Sequence, residues 1–137
     1  MDTKFGEYVK EKRLEKGINL RKLAEILDIV PAYMSDIEKG RRYPPDKDKI
    51  YKISEALNLS ESETNKLFDL AALAKENTVS PDLPEYIMGN DTLRVALRKA
   101  RDINADEDDW MKVIEMLEAK EKGDKNLWYI ISIRQHN

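Results

Sequence analysis

Apolar positions in residues 20–40, LRKLAEILDIVPAYMSDIEKG, fall into two short amphipathic segments, 20–27 and 31–39, separated at Asp28, Ile29 and Val30. In the first, Leu20, Leu23, Ala24 and Leu27 recur at i, i+3, i+4 and i+7, one face of a helix. Asn19 stands where an N-cap belongs. In the second, Met34 and Ile37 are i, i+3 partners, Pro31 occupies the first helical position and Gly40 supplies the stop. Helices this short cannot bury their apolar faces alone, so they must pack on each other and on flanking helices. That is the build of a helix-turn-helix.

The same periodicity predicts the flanking elements. A first helix runs from about Thr3 to Lys16, capped by Asp2 or Thr3, with Phe5, Tyr8 or Val9, and residues 12–14 turned toward the bundle and Gly17 as its stop. A helix from Lys47 to Leu57 presents Ile50, Ile53 and Leu57. Ser60 and Glu63 form a capping box that opens a helix running to about Lys75, with Leu67, Leu70, Ala71 and Ala74 as its stripe and Phe68 and Leu73 beside it. That breadth predicts a further partner for this helix. Residues 76–84, ENTVSPDLP, carry two prolines and no periodicity, and read as a linker. Beyond it, Leu83, Tyr86, Ile87 and Met88 read as a short docking turn. Asp91 caps a helix to about Ile103 with Leu93, Ala96, Leu97 and Ala100 as its stripe. A last helix, 106–122, aligns Trp110, Val113, Ile114 and Leu117. The run from Leu127 to Ile133 has strand composition without a visible partner strand, and reads as an irregular tail or a contact with a second copy.

In residues 20–44 the order L-A-x-x-L, a three-residue turn, Tyr33-Met34-Ser35-x-Ile37-Glu38-x-Gly40, then Arg41-Arg42-x-Pro44 resembles the Xre (Cro/CI-like) helix-turn-helix family of DNA-binding regulators. The match extends from Phe5 to about Leu70. It implies an all-α fold with a five-helix bundle over residues 1–75; the aperiodic linker at 76–84 and the helical periodicity beyond it add a small helical module at 85–137 for dimerisation or regulation. It also implies an ion pair between Arg13 and Glu38 that ties the first helix to the end of the recognition helix. Two positions depart from the family pattern. Leu20 stands where a glutamine often opens the second helix, which removes a polar DNA contact. Asp28 stands where the turn often has glycine, a replacement that works because Asp enters positive φ more readily than most residues. Around Leu83-Pro84, Leu97-Arg98 and Asp109-Trp110 the chain also resembles repressors controlled by ImmA/IrrE-type metalloproteases, which implies a separate protease as partner.

Composition refines this picture. The net charge of −3 is unevenly distributed. Residues 1–43 hold ten Lys/Arg against eight Asp/Glu, whereas residues 76–137 hold nine against thirteen. The positive end coincides with the helix-turn-helix, and an acidic remainder limits indiscriminate adhesion to DNA. The chain has no cysteine, no apolar leader and no long apolar run, which predicts a soluble cytoplasmic protein without disulfides. The one histidine is His136, and neither HExxH, a Gly-rich phosphate loop nor G-x-S-x-G is present, so an enzyme is not expected. The acidic run ADEDDW at 105–110 lacks the alternation, bend glycine and closing glutamate of a calcium loop and reads as a helix cap, with no metal or cofactor expected.

A recognition helix meets the major groove through its N-terminal part, so Pro31, Ala32, Tyr33 and Asp36 are the candidates for base contacts. Pro31 and Ala32 offer apolar contact with a thymine methyl, and Asp36 an acceptor for cytosine N4. Arg21, Lys22, Lys39, Arg41 and Arg42 are the candidates for phosphate contacts. The expected function is a dimeric repressor reading a palindromic operator in double-stranded DNA. The alternatives are an antitoxin whose acidic C-terminal part covers a toxin, and a protein-interaction module that does not bind DNA.

Overall fold

A computed structural model describes residues 2–123; the run at Leu127–Ile133 and His136 lie outside the described residues. The described residues are all helical: α1 (Lys4–Glu15), α2 (Leu20–Ile26), α3 (Pro31–Glu38), α4 (Lys47–Ala56), α5 (Glu61–Leu73), α6 (Pro84–Met88), α7 (Asp91–Asp102) and α8 (Glu107–Glu121). They divide into two compact units between Gly89 and Asn90.

Local chemistry starts and stops these helices. The side chain of Asn19 accepts from the Lys22 amide at 2.8 Å, Asp46 accepts from Lys49 at 3.1 Å, and Ser60 and Glu63 close a reciprocal capping box. Thr3 sits at the start of α1 without capping it; Asp2 takes the Lys4 amide at 2.8 Å instead. At α7 the cap is Asn90, which accepts from Leu93, and not Asp91. Asn90 is extended and lies just outside the helix, where its side chain can reach back to the Leu93 amide, whereas Asp91 is already the first helical residue. Several helices end in the same way, with a left-handed residue followed by an amide that returns to a carbonyl five residues back. Gly17 (φ 67°) and Gly40 (φ 73°) use glycine for this, while Asp28 (φ 56°), Asn58 (φ 48°) and Asn104 (φ 54°) use short polar side chains.

In the first unit α1 to α5 enclose one apolar core, to which Phe5, Val9, Leu23, Leu27, Met34, Ile37, Ile53 and Phe68 each contribute a side chain almost fully removed from solvent. The inward positions of α1 follow i, i+4, i+8: Phe5, Val9, Arg13. Arg13 therefore takes the inward place, and Leu14, expected to face the bundle, is turned about 100° away and 61% exposed. On α5 the centre of the buried face is Leu67, Phe68 and Ala71, so Phe68 belongs to the core and not to its margin. The breadth of this face is used within the bundle, because α5 packs against both α1 and α4 and the Phe68 ring meets Tyr51 edge-on at 4.8 Å. Leu73 remains exposed.

Residues 76–84 are tied to the first unit. Thr78 donates to the carbonyls of Ala72 or Lys75, the buried Ser80 hydroxyl meets Asp69, and Lys47 pairs with Glu85 of α6 at 2.8 Å. The expected docking turn is a helix, but Leu83, Tyr86 and Met88 are exposed on it. Of the four apolar residues expected there, Ile87 alone is partly buried. In the second unit, α7 has no fully buried residue, and on α8 Trp110, Ile114 and Leu117 are all exposed, Ala119 being its buried position.

Candidate nucleic-acid interface

The second and third helices set the interface. Leu23, Ala24 and Leu27 of α2 and Met34 and Ile37 of α3 face the core, which turns the opposite side of α3 outward. The turn between them is compact because Asp28 adopts φ 56°, letting the Ile29 amide return to the Ala24 carbonyl at 3.0 Å. Val30 is extended, as a residue preceding proline must be, and Pro31 then opens α3 where its missing N–H costs nothing. Pro31 and Ala32 are exposed, and Tyr33 and Asp36 are half-buried. Val30, which sequence reasoning assigned only to the turn, is 66% exposed beside them and extends the apolar tip of α3.

The other end of α3 is clamped by α1. Arg13 Nε donates to Glu38 Oε2 at 2.8 Å, its Nη2 donates to Oε1 at 3.0 Å, and its Nη1 donates to the Ile18 carbonyl at 3.1 Å. This fork joins the end of α1, the turn that follows and the last residue of α3 in a site from which water is nearly excluded. Gly6 lies against the same end. A Cβ there would overlap the carbonyl oxygens of Ile37 and Glu38, so glycine sets how closely α1 crosses α3. Gly40 abuts Thr3 in the same way while holding positive φ. Gly6 was missed in the sequence, although a glycine inside an otherwise helical pattern is the signal for close backbone approach.

Five cations surround the exposed face of α3. Arg21 and Lys22 lie exposed on α2, and Lys39, Arg41 and Arg42 follow α3. The side chains of Arg21, Lys22 and Lys39 have no partner among the described residues. The remaining two converge on Asp36: Arg41 Nη1 is 3.9 Å from Oδ1 and Arg42 Nε is 3.8 Å from Oδ2. The Arg42 guanidinium also lies over the Tyr33 ring, 4.9 Å from its centroid. Tyr33, Asp36, Arg41 and Arg42 thus form one cluster in which Asp36 lies between two arginines.

A second ion pair braces the scaffold behind this face. Lys12 Nζ is 2.8 Å from Glu63 Oε2, joining α1 to the cap of α5. The hydrogen bond from Lys12, with the Ser60 amide adding to it, holds the Glu63 carboxyl down at about 2, and Lys12 is raised in turn. In the second unit the acidic run is engaged as a cap: Asp106 and Asp109 accept each other's amides at 3.0 and 2.9 Å, which lowers the Asp106 carboxyl. Among the described residues no group of three or more His, Cys, Asp or Glu is placed to hold a metal ion, and no helix is long and apolar enough to cross a membrane.

Residues 9–63 match the helix-turn-helix (HTH_3) family model. No curated protein matches the chain. Among solved structures, the chain is similar to the clp gene regulator ClgR from C. glutamicum, at 29% identity over 53% of this chain and 87% of that one, with a TM-score of 0.42. It is also similar to a chain of a SinR protein/SinI protein complex, at 19% identity over 86% of this chain and 98% of that one, with a TM-score of 0.42.

Proposed function

We propose, from the premise that residues 9–63 form a helix-turn-helix of the Xre (Cro/CI-like) type, that this protein is a DNA-binding transcription regulator that acts as a dimeric repressor on a palindromic operator. The observation that carries the proposal is the exposed tip of α3 set among the cations of Arg21, Lys22, Lys39 and Arg41 on a rigidly clamped scaffold. An exposed helix end can enter a major groove about 12 Å wide, and cations on either side meet the two phosphate rims. Val30, Pro31 and Ala32 then face thymine methyl groups, and the Tyr33 hydroxyl a base edge. The division of labour is a DNA-binding part at residues 1–75 and a dimerisation or regulatory part formed by the C-terminal helices. A single domain of this size makes few contacts, so two copies on half-sites about 34–36 Å apart are expected. The exposed Trp110, Ile114 and Leu117 on α8 support a protein partner for the second unit, which is a second copy in this reading.

Fluorescence anisotropy of the full chain on labelled duplexes tests DNA binding, and sedimentation equilibrium tests the dimer. Binding that weakens steeply with salt, to a protein sedimenting at twice the chain mass, is expected. A DNA-binding chain whose acidic C-terminal part captures a toxin would replace this reading with the antitoxin alternative, and a monomer that binds no duplex would replace it with the interaction-module alternative.

A further inference from the structure

The four side chains clustered on the outer face of α3 are arranged as phosphate-seeking arginines do not need to be. A phosphate accepts hydrogen bonds from many directions, so an arginine that neutralises it gains by swinging freely, and a carboxylate beside it detracts from the charge it brings. A base-reading arginine has the opposite need: its plane must be held in a fixed orientation before the base arrives. Arg42 meets that second need. Tyr33 supports the face of the guanidinium at 4.9 Å, and Asp36 approaches its Nε edge at 3.8 Å. Its two terminal nitrogens have no partner among the described residues. The two parallel N–H donors of a guanidinium so supported match the O6 and N7 acceptors that guanine presents in the major groove. Arg41 is 69% exposed against 56% for Arg42 and shares the other oxygen of Asp36, but it has no aromatic support and keeps the mobility that suits a phosphate.

We infer that Arg42 is a specificity-determining residue that reads a guanine in each half-site, with Tyr33 and Asp36 as positioning residues that fix its fork. The inference rests on the DNA-binding reading above. It changes the roles expected from sequence: Asp36 acts on Arg42 and not on a cytosine, and Tyr33 supplies its ring to the arginine while its hydroxyl stays free for DNA. The shared chemistry is a pair of coplanar acceptors, which a phosphate can also offer, so the test must separate the two.

The full chain is used to select sites from a random duplex pool, and the best site is re-measured with 7-deazaguanine, which lacks the N7 acceptor, at each guanine in turn. Wild type should prefer one guanine per half-site and lose about 5- to 150-fold when it is exchanged for another base, and a smaller factor when it is made 7-deaza, which keeps the O6 acceptor. Arg42→Lys keeps the charge yet should lose most of that preference, and Arg42→Ala should bind all four base pairs at that position alike. Asp36→Asn should relax the preference at the same position, with a melting temperature unchanged, which a merely structural role would not produce. If Arg42→Ala weakens every sequence evenly and lowers the salt slope by about one unit, Arg42 is a phosphate contact and the inference falls while DNA binding stands. If wild type enriches no sequence and binds no duplex, the DNA-binding reading falls and this inference with it.

Discussion

Replacing Glu38 by Gln removes one charge from a site where the Arg13 and Glu38 side chains are 9% and 4% exposed. Gln keeps the shape and one acceptor, so Arg13 retains a single hydrogen bond there and its bond to Ile18, but its positive charge is left without a counter-ion. Breaking a buried pair from one side costs about 3–5 kcal/mol, whereas an exposed pair contributes at most about 1 kcal/mol. The surviving hydrogen bonds place Glu38→Gln at the lower end, about 3 kcal/mol. For a unit of this size that corresponds to a fall in Tm of roughly 12–24 °C. Thermal denaturation of the full chain followed by circular dichroism gives the value directly. The double variant Arg13→Met with Glu38→Leu removes both charges and should recover much of the loss, because two apolar side chains in contact need no counter-ion. A fall of less than about 4 °C for Glu38→Gln, equivalent to about 1 kcal/mol, would refute the view that this pair fixes α3 to α1.

Gly6→Ala should destabilise despite the helix propensity gained, by about 1–3 kcal/mol, since the overlapping atoms are backbone carbonyls that cannot swing aside; urea unfolding checks it. The Glu63 carboxyl is lowered to about 2 by Lys12, so its contribution is complete above its unfolded value near 4.5 and is lost as pH falls through 2. The Tm difference between wild type and Glu63→Gln should therefore be positive and constant above about pH 5 and shrink toward zero near pH 2. Arg41→Ala should weaken binding to all duplexes by a similar factor and reduce the slope of log K against log salt by about one unit; a loss confined to one sequence would reassign it to base reading.

Much of the first unit was legible because its signals are local. Asn19 and the Ser60–Glu63 box each satisfy amides within three residues, and Leu23, Leu27, Met34 and Ile37 follow the helical period. Errors arose where three-dimensional neighbours decide. Leu14 looked inward until Arg13 took the inward place, and Phe68 looked marginal until α4 and α1 flanked α5 together. The individual residues of the candidate interface were readable one by one, but their grouping was not. Arg42 lies beyond the end of α3, so no helical period links it to Tyr33 nine residues earlier; the reversal at Gly40 brings them together. Gly6 shows the same limit, since its role depends on carbonyls more than thirty residues away.

The central claim is that the exposed tip of α3 enters the major groove of a specific duplex. Selection from a random double-stranded pool, followed by binding of the best site with Tyr33→Ala, tests it most directly. An inverted repeat with half-sites one helical turn apart, preferred by wild type and no longer distinguished from random DNA by Tyr33→Ala, is the predicted result. Failure to enrich any sequence, with wild type and Tyr33→Ala behaving alike on every duplex, would contradict it.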